Sequence, residues 1–236
     1  MIDIHCHILP GVDDGALNLE MSVGMARLAA QDGIRVIVAT PHHNKVFLVT
    51  EHTVRSKVKE LQTELDRLNI PLTIMPGNEL RLESPEFVYE AMAANRFCYL
   101  ADNPRFVLLE QSWEKYHPDT PSVVAALKER GTTLILPHPE RHFFFRERPK
   151  LLEELVGLGV WTQVSVDSLI GNNGPEVQKF ALSLVDRGLA HTLATDAHNL
   201  RRKPNLSLGY KLVAQRAGAA AAEQIRGRMK RIIGEE

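Results

Sequence analysis

Histidines and carboxylates recur in this chain where strand-like runs stop. The run Met1-Ile2-Asp3-Ile4 delivers His5-Cys6-His7, and later runs deliver His42 and His43, Glu79, Glu110, His138, and Asp196 with His198. Imidazole nitrogens and carboxylate oxygens are the donors that hold zinc, manganese or iron. His5 and His7 stand two apart, so on a strand both leave one face, while Cys6 points the other way into apolar packing. Asp196-Ala197-His198 repeats that spacing. Adjacent side chains diverge, so only one of His42 and His43 is expected to enter a common cluster. In Asp13-Asp14-Gly15 one aspartate can serve the turn while the other faces inward. A lone His-x-His tripeptide, or one glutamate at a rim, is weak evidence. The strength lies in the recurrence at strand ends, with prolines fixing the backbone on both sides of His138. A zinc site needs about three or four ligands. Five histidines and four carboxylates make nine candidates, enough for two or three ions.

Other chemistries are poorly supported. The chain contains neither Gly-x-Ser-x-Gly nor Gly-x-x-x-x-Gly-Lys, and neither cysteine opens a Cys-x5-Arg loop. Cys98 and Arg105 are separated by six residues, one of them Asp102, where a thiolate would need a positive cradle. Basic residues near the cluster carry more weight. Arg141 is three past His138, and Arg201, Arg202 and Lys203 follow His198. A guanidinium matches phosphate oxygens two at a time. Arg141 is therefore expected to touch substrate, whereas Phe143-Phe144-Phe145 either lines an aromatic pocket or packs its loop.

The elements that must position these residues alternate. Strands are expected at 1–4, 34–39, 71–75, 106–109, 132–136, 160–165 and 191–195, the sixth placing Gln163, Ser165 and Asp167 toward the same mouth. Helices are expected at 18–31, 51–68 with Thr50 as N-cap, 85–94, 121–130, 149–158 and 175–186, followed by two in the tail at 207–217 and 219–233. Seven β/α units imply parallel pairing through right-handed crossovers. An open sheet would gather its site at one switch point, whereas nearly every strand end contributes here, which favours a closed barrel. The 236 residues, 44% hydrophobic, suit one domain with a full core. A formal net charge of -1 gives no basic surface for nucleic acid. The longest apolar runs fall short of a membrane span, and no basic segment leads a hydrophobic one at the N-terminus, so a cytoplasmic protein is expected. Cys6 and Cys98 cannot form a disulfide framework.

Taken in order, His5-Cys6-His7, Val12-Asp13-Asp14-Gly15, Thr40-Pro41-His42, Gly77-Asn78-Glu79, His138-Pro139-Glu140-Arg141 and Thr195-Asp196-Ala197-His198-Asn199 resemble the PHP (polymerase and histidinol phosphatase) superfamily. More narrowly they resemble its bacterial capsule-type protein-tyrosine phosphatases, the CpsB/YwqE-like group, over residues 1 to about 204. The resemblance implies a single PHP-type domain over residues 1–236, a distorted seven-stranded (β/α)7 TIM-like barrel. It implies two or three divalent ions, manganese first, with iron or zinc as alternatives. One ion would take His5, His7, Glu79 and Asp196, a second would share Glu79 and add Glu110 and His138, and a third would take Asp14, His42 and His198. Arg141, with Asp196, would serve catalysis, and Arg141 would also hold the substrate phosphate. A second basic residue of the family falls at Lys203 or the adjacent Arg202, and His43 stands where relatives carry a basic residue.

The implied reaction is attack of metal-activated hydroxide on a phosphomonoester, with Arg141 neutralising charge on the phosphoryl oxygens. The implied substrate is a phosphotyrosine protein, a bacterial tyrosine kinase that controls polysaccharide synthesis. A histidinol-phosphate or other small-molecule phosphatase is the alternative within the superfamily. An amidohydrolase-type deaminase would call for eight strands and a longer chain. A non-catalytic metal-binding regulatory module would lack ligands, and none of the nine is missing. Oligomerisation stays open, because the 51–68 helix and the alanine-rich tail could pack on a neighbour or on the barrel.

Overall fold

The computed structural model describes residues 1–235; Glu236, the last residue of the expected domain, lies outside the described residues. The described residues form nine strands, with helices between them except at the β2–β3 and β4–β5 breaks: β1 Ile2–Cys6, β2 Val36–Ala39, β3 His42–His43, β4 Thr73–Pro76, β5 Glu79–Arg81, β6 Phe106–Glu110, β7 Thr133–Pro137, β8 Trp161–Ser165 and β9 Thr192–Ala194. The helices are α1 Leu19–Gln31, α2 Glu51–Arg67, α3 Pro85–Ala93, α4 Thr120–Glu129, α5 Phe143–Glu147, α6 Pro149–Gly157, α7 Val166–Leu169, α8 Pro175–Asp186, α9 Leu206–Ala217 and α10 Ala219–Ile232. Local chemistry sets their starts. The Asn18 side chain accepts the Met21 N–H at 2.9 Å, and Ser84 accepts that of Phe87 at 3.2 Å ahead of Pro85. β6 is buried at all five positions, as a parallel strand covered on both faces should be.

All ladder pairs are parallel, but they form two sheets, β1-β2-β4 and β3-β5-β6-β7-β8-β9. This corrects the single seven-stranded barrel expected from the sequence: the strands number nine and the sheets do not close. The cause is local. One chain pass is broken between β2 and β3 at Thr40-Pro41, and the next between β4 and β5 at Gly77-Asn78. Pro41 and Pro76 have no N–H for a ladder. Gly77 lies so close to β2 that a Cβ there would stand 2.7 Å from Val38 Cγ1. Asn78 spans the break, its amide donating to the carbonyls of Pro41 at 3.0 Å and Val49 at 3.1 Å while its oxygen accepts the Cys98 N–H at 2.8 Å.

At the other seam the end of β1 meets the segment that follows β9 through an isolated bridge, Cys6 to Ala197. The Asp196 N–H donates to the His5 carbonyl and the His7 N–H to the Ala197 carbonyl, both at 2.9 Å. The buried carboxyl of Asp3 reinforces this seam, accepting the Thr195 hydroxyl at 2.5 Å and the Thr195 N–H at 3.1 Å. α2 packs Val54, Leu61 and Leu65 inward beside β4, and α10 packs Ile225, Met229 and Ile232 beside β1 and β9. Both helices thus lay one face on their own core. No helix among the described residues is long and apolar enough to cross a membrane.

Replacing Asp3 by alanine strands the Thr195 N–H and hydroxyl in a dry seam, at a cost of about 1–3 kcal/mol for unsatisfied buried donors. Urea unfolding should show a lower midpoint for Asp3→Ala and a smaller loss for Asp3→Asn, which keeps an acceptor. Equal midpoints for wild type and Asp3→Ala would show that the seam does not depend on Asp3.

Candidate metal centre

All nine residues singled out as ligands converge on one mouth at the strand ends. The His5 Nε2 lies 3.4 Å from Glu79 and 3.3 Å from Asp196, and the His7 Nε2 lies 3.4 Å from each. The His138 Nε2 is 3.0 Å from Glu79 and 3.7 Å from Glu110. His42 reaches Glu79 at 3.0 Å and Asp14 at 3.4 Å, and the His198 Nε2 stands 3.7 Å from Asp14. Four overlapping sets each bring their donor atoms within 4.8 Å of one another: His7, Asp14, His42 and His198; His5, His7 and Asp196; His5, Glu79 and His138; His42, Glu79 and Glu110. Eight of the nine are buried, and only Asp14 is exposed.

Supporting hydrogen bonds fix which imidazole nitrogen faces inward. The Asp13 carboxylate can only accept, so the His7 Nδ1–H donates to it at 2.7 Å. The His198 Nδ1–H donates to the Asp196 carbonyl at 3.0 Å, and the His5 Nδ1–H to the Gln163 amide oxygen at 2.7 Å. Each bond turns the other nitrogen, Nε2, toward the cluster with its lone pair, the orientation that second-layer partners impose on metal-binding histidines. The consequence is sharpest at the end of β1, where the Nε2 atoms of His5 and of His7, one residue past the strand, face each other at 3.2 Å.

The electrostatics ask for positive charge at that point. Burial works against charging His5, but Glu79 and Asp196 outweigh it and raise its pKa; for His7 burial is likewise outweighed, by Asp13. Burial opposes ionisation of Glu79 and Asp196 too, yet His5 above all holds both well below the ordinary carboxylate range. Glu110 differs: burial, with Glu79 beside it, pushes its pKa up to about 7 despite the Arg81 guanidinium at 2.7 Å. Burial brings His138 down to about 4.

The backbone is bent to achieve this. His138 and Asp196 take left-handed conformations at φ 35° and φ 51°, costly for residues with a Cβ and found mostly where function demands them. Gly15 is required for another reason: a Cβ there would lie 2.2 Å from the His7 carbonyl oxygen. The turn therefore presses directly on β1, and Asp13 also accepts the N–H groups of Gly15 and His42 at 3.0 Å each. The aspartate that serves the turn thus also orients His7, while Asp14 faces the mouth.

Around the buried donors lies a cavity of about 170 Å³, lined by Asp14, His42, Glu79, Arg81, Glu110, Trp113, His138, Arg141, Asp196, His198 and Arg202. Arg141 donates to Asp196 at 2.5 Å, and Arg202 bonds the same carboxylate oxygen. Of the two basic residues offered by the last loop, Arg202 is at the mouth, whereas Lys203 is exposed and outside the lining. His43 is turned away, as its neighbour His42 requires. It is buried against Phe87 and Phe97 and its Nδ1–H donates to the Val49 carbonyl at 3.0 Å, so it is not positioned to meet a phosphate. Phe144 and Phe145 are buried and pack the loop, while Phe143 is exposed. Asp167 is taken up by bonds from Asn172 and Asn205, the Ser165 N–H donates to Glu140, and Gln163 reaches the cluster through His5. Sequence reasoning missed Arg81 and Trp113. Both stand close to a named glutamate, Arg81 two residues past Glu79 and Trp113 three past Glu110, and that proximity was the available signal.

Known proteins match this arrangement over its whole length. The family model described as capsular polysaccharide synthesis, CpsB/CapC, matches residues 1–232. The tyrosine-protein phosphatase YwqE of Bacillus subtilis is 38% identical over 204 residues, 86% of this chain and 79% of that protein. The tyrosine-protein phosphatase CpsB of Streptococcus pneumoniae is 28% identical over 232 residues, 95% of this chain and 94% of that protein. A crystal structure from work on YwqE of Bacillus subtilis and CpsB of Streptococcus pneumoniae, described there as unique metal-dependent tyrosine phosphatases, superposes with a TM-score of 0.95. It is 33% identical and covers 100% of this chain and 95% of that one. A β-aspartyl dipeptidase from Fervidobacterium islandicum, 12% identical at a TM-score of 0.54 over 98% of this chain and 72% of its own, shares the fold alone. The chain belongs to the CpsB/CapC family of capsular polysaccharide synthesis.

Proposed function

We propose that this chain is a metal-dependent protein-tyrosine phosphatase whose nine clustered residues hold two or three divalent ions. The observation that carries the reading is the pair of inward-facing Nε2 atoms of His5 and His7, 3.2 Å apart and flanked by the buried carboxylates of Glu79 and Asp196. Two lone pairs at that distance need a cation between them, and buried carboxylates need the same compensation. The donor set fits such ions: mixed imidazole and carboxylate, with the His42 Nδ1 3.0 Å from the buried Glu79 carboxylate. His5, His7, Glu79 and Asp196 would hold one ion, Glu79, Glu110 and His138 a second, and Asp14, His42 and His198 a third. Manganese suits this hard-to-borderline set best, ahead of iron or zinc.

When bound, the ions would make water a stronger acid near neutral pH and withdraw charge from the phosphoryl oxygens. The chain's own part is positioning. Arg141 and Arg202, already drawn to the mouth by Asp196, would present guanidinium donors to the remaining phosphoryl oxygens as charge builds on them. A water oxygen attacks phosphorus, the bond from phosphorus to the phenolic oxygen breaks, and the electron pair leaves with that oxygen. A tyrosyl phenolate, conjugate base of a group with pKa about 10, departs with less protonation than an alkoxide needs. Asp13 and Gln163 hold the imidazoles in register throughout.

A macromolecular substrate suits the rim. Trp113 lines the mouth, and Leu17, Val46, Leu48 and Leu200 are exposed on the loops that follow Asp14, His43 and His198, apolar surface that a small, highly charged metabolite would not call for. The capsule-synthesis family supports a bacterial tyrosine kinase as the phosphoprotein, and a cytoplasmic site of action with it.

Turnover of a phosphotyrosine peptide should disappear on chelation and return with manganese, and histidinol phosphate should be the poorer substrate. The reverse preference would overturn the substrate assignment, and activity unaffected by thorough chelation would overturn the metal assignment. His5→Ala and Asp196→Ala should each abolish turnover while circular dichroism remains that of a folded α/β protein; either variant retaining activity would refute the site. Arg141→Ala should lower kcat/KM about 100-fold, the usual loss for one donor to developing charge, with metal content unchanged. An undiminished kcat/KM would remove Arg141 from the reaction.

A further inference from the structure

The mouth carries one large aromatic side chain that the metal centre does not account for. Trp113, 38% exposed, stands on the loop after β6 and lines the cavity. Its ring stacks on His138 with centroids 5.3 Å apart and planes at 16°, and on His142 at 4.5 Å and 26°. His142 in turn stacks on the buried Phe144 at 5.1 Å and 27°. Neither ring nitrogen of the fully buried His142 has a hydrogen-bond partner, so this imidazole serves as a flat spacer between the indole and the core. The column Trp113, His142, Phe144 fixes the indole plane from below. The Arg141 guanidinium lies over the indole, 4.9 Å from the Trp113 centroid. The residue proposed to hold the phosphate and the exposed indole are therefore neighbours.

We infer that Trp113 is the platform on which the phenyl ring of the phosphotyrosine lies, and that it makes the site prefer aryl over alkyl phosphoesters. The inference rests on the phosphatase reading above and deepens it. A phosphate gripped by Arg141 places the first carbon of its ester group one oxygen away from phosphorus, within reach of the adjacent indole. An aryl ring there gains an offset stacking contact, and an alkyl chain gains less. Rigidity adds to the preference, because the column pre-sets the indole and the substrate ring is all that must be ordered.

Trp113→Leu and Trp113→Phe, purified with their metals, would be compared with wild type on one peptide carrying either phosphotyrosine or phosphoserine. Trp113→Leu should lower the ratio of kcat/KM for the two peptides about three- to tenfold, mainly through KM on phosphotyrosine, and Trp113→Phe should keep most of it. A merely structural role beneath His138 would depress both peptides alike and leave the ratio unchanged, which would overturn the inference. Calorimetric binding of phenyl phosphate and methyl phosphate decides the point independently of turnover. Wild type should favour the phenyl ester and Trp113→Leu should lose that preference; an equal preference in both would again overturn it. A wild-type enzyme that hydrolyses neither peptide would refute the phosphatase reading, while the binding ratio would still decide the role of Trp113.

Discussion

Two imidazole nitrogens facing each other across 3.2 Å, each turned inward by a bond on its far side, set the requirement that the rest of the molecule meets. Such a pair is repulsive unless a cation lies between. Everything around it acts to keep the pair in place and to draw that cation in. Glu79 and Asp196 are buried as carboxylates in spite of the desolvation penalty, and the histidines hold them ionised. A proton can answer part of the demand, which is the sense of the raised His5 and His7 pKa values. Metal ions compete for the same lone pairs, so loading the centre should release protons.

The fold supplies the geometry through irregularities more than through its regular ladders. A continuous closed barrel would point alternate residues inward and stop there. Breaks at Pro41 and Gly77 let β3 and β5 restart at a new angle, pairing His42 with Glu79. Left-handed backbone at His138 and Asp196 turns two strand ends abruptly so that their side chains stay over the mouth. The contact of Gly15 with β1 ties the Asp13-Asp14 turn to His7. Strain of this kind persists only where surrounding packing determines it, and at His138 and Asp196 it sits on residues that face the cluster.

Much of this was legible in the sequence. The alternation of elements, most helix limits and seven of the clustered residues followed from period, caps and strand-end position, while the choice of Asp14 over Asp13 and His42 over His43 came from the family resemblance. Asn18 and Ser84 begin their helices as their side chains allow. What escaped depends on tertiary geometry. Pro41 reads as a strand end, and nothing local says that the chain resumes pairing one residue later. His43 and Lys203 are of the right chemical type, but His42 and Arg202 occupy the inward positions beside them. The closeness of Trp113 to Glu110 was the one local signal for it, because its partners His138, Arg141 and His142 are 25 to 29 residues away and meet it through tertiary packing.

The donors outnumber what one ion can use, and that excess separates a multinuclear hydrolytic centre from a single structural metal. Elemental analysis of the protein, purified without chelators and dialysed against metal-free buffer after loading with manganese, tests this most directly. The account predicts two or three divalent ions per chain. One ion or none, in protein that remains folded, would contradict it.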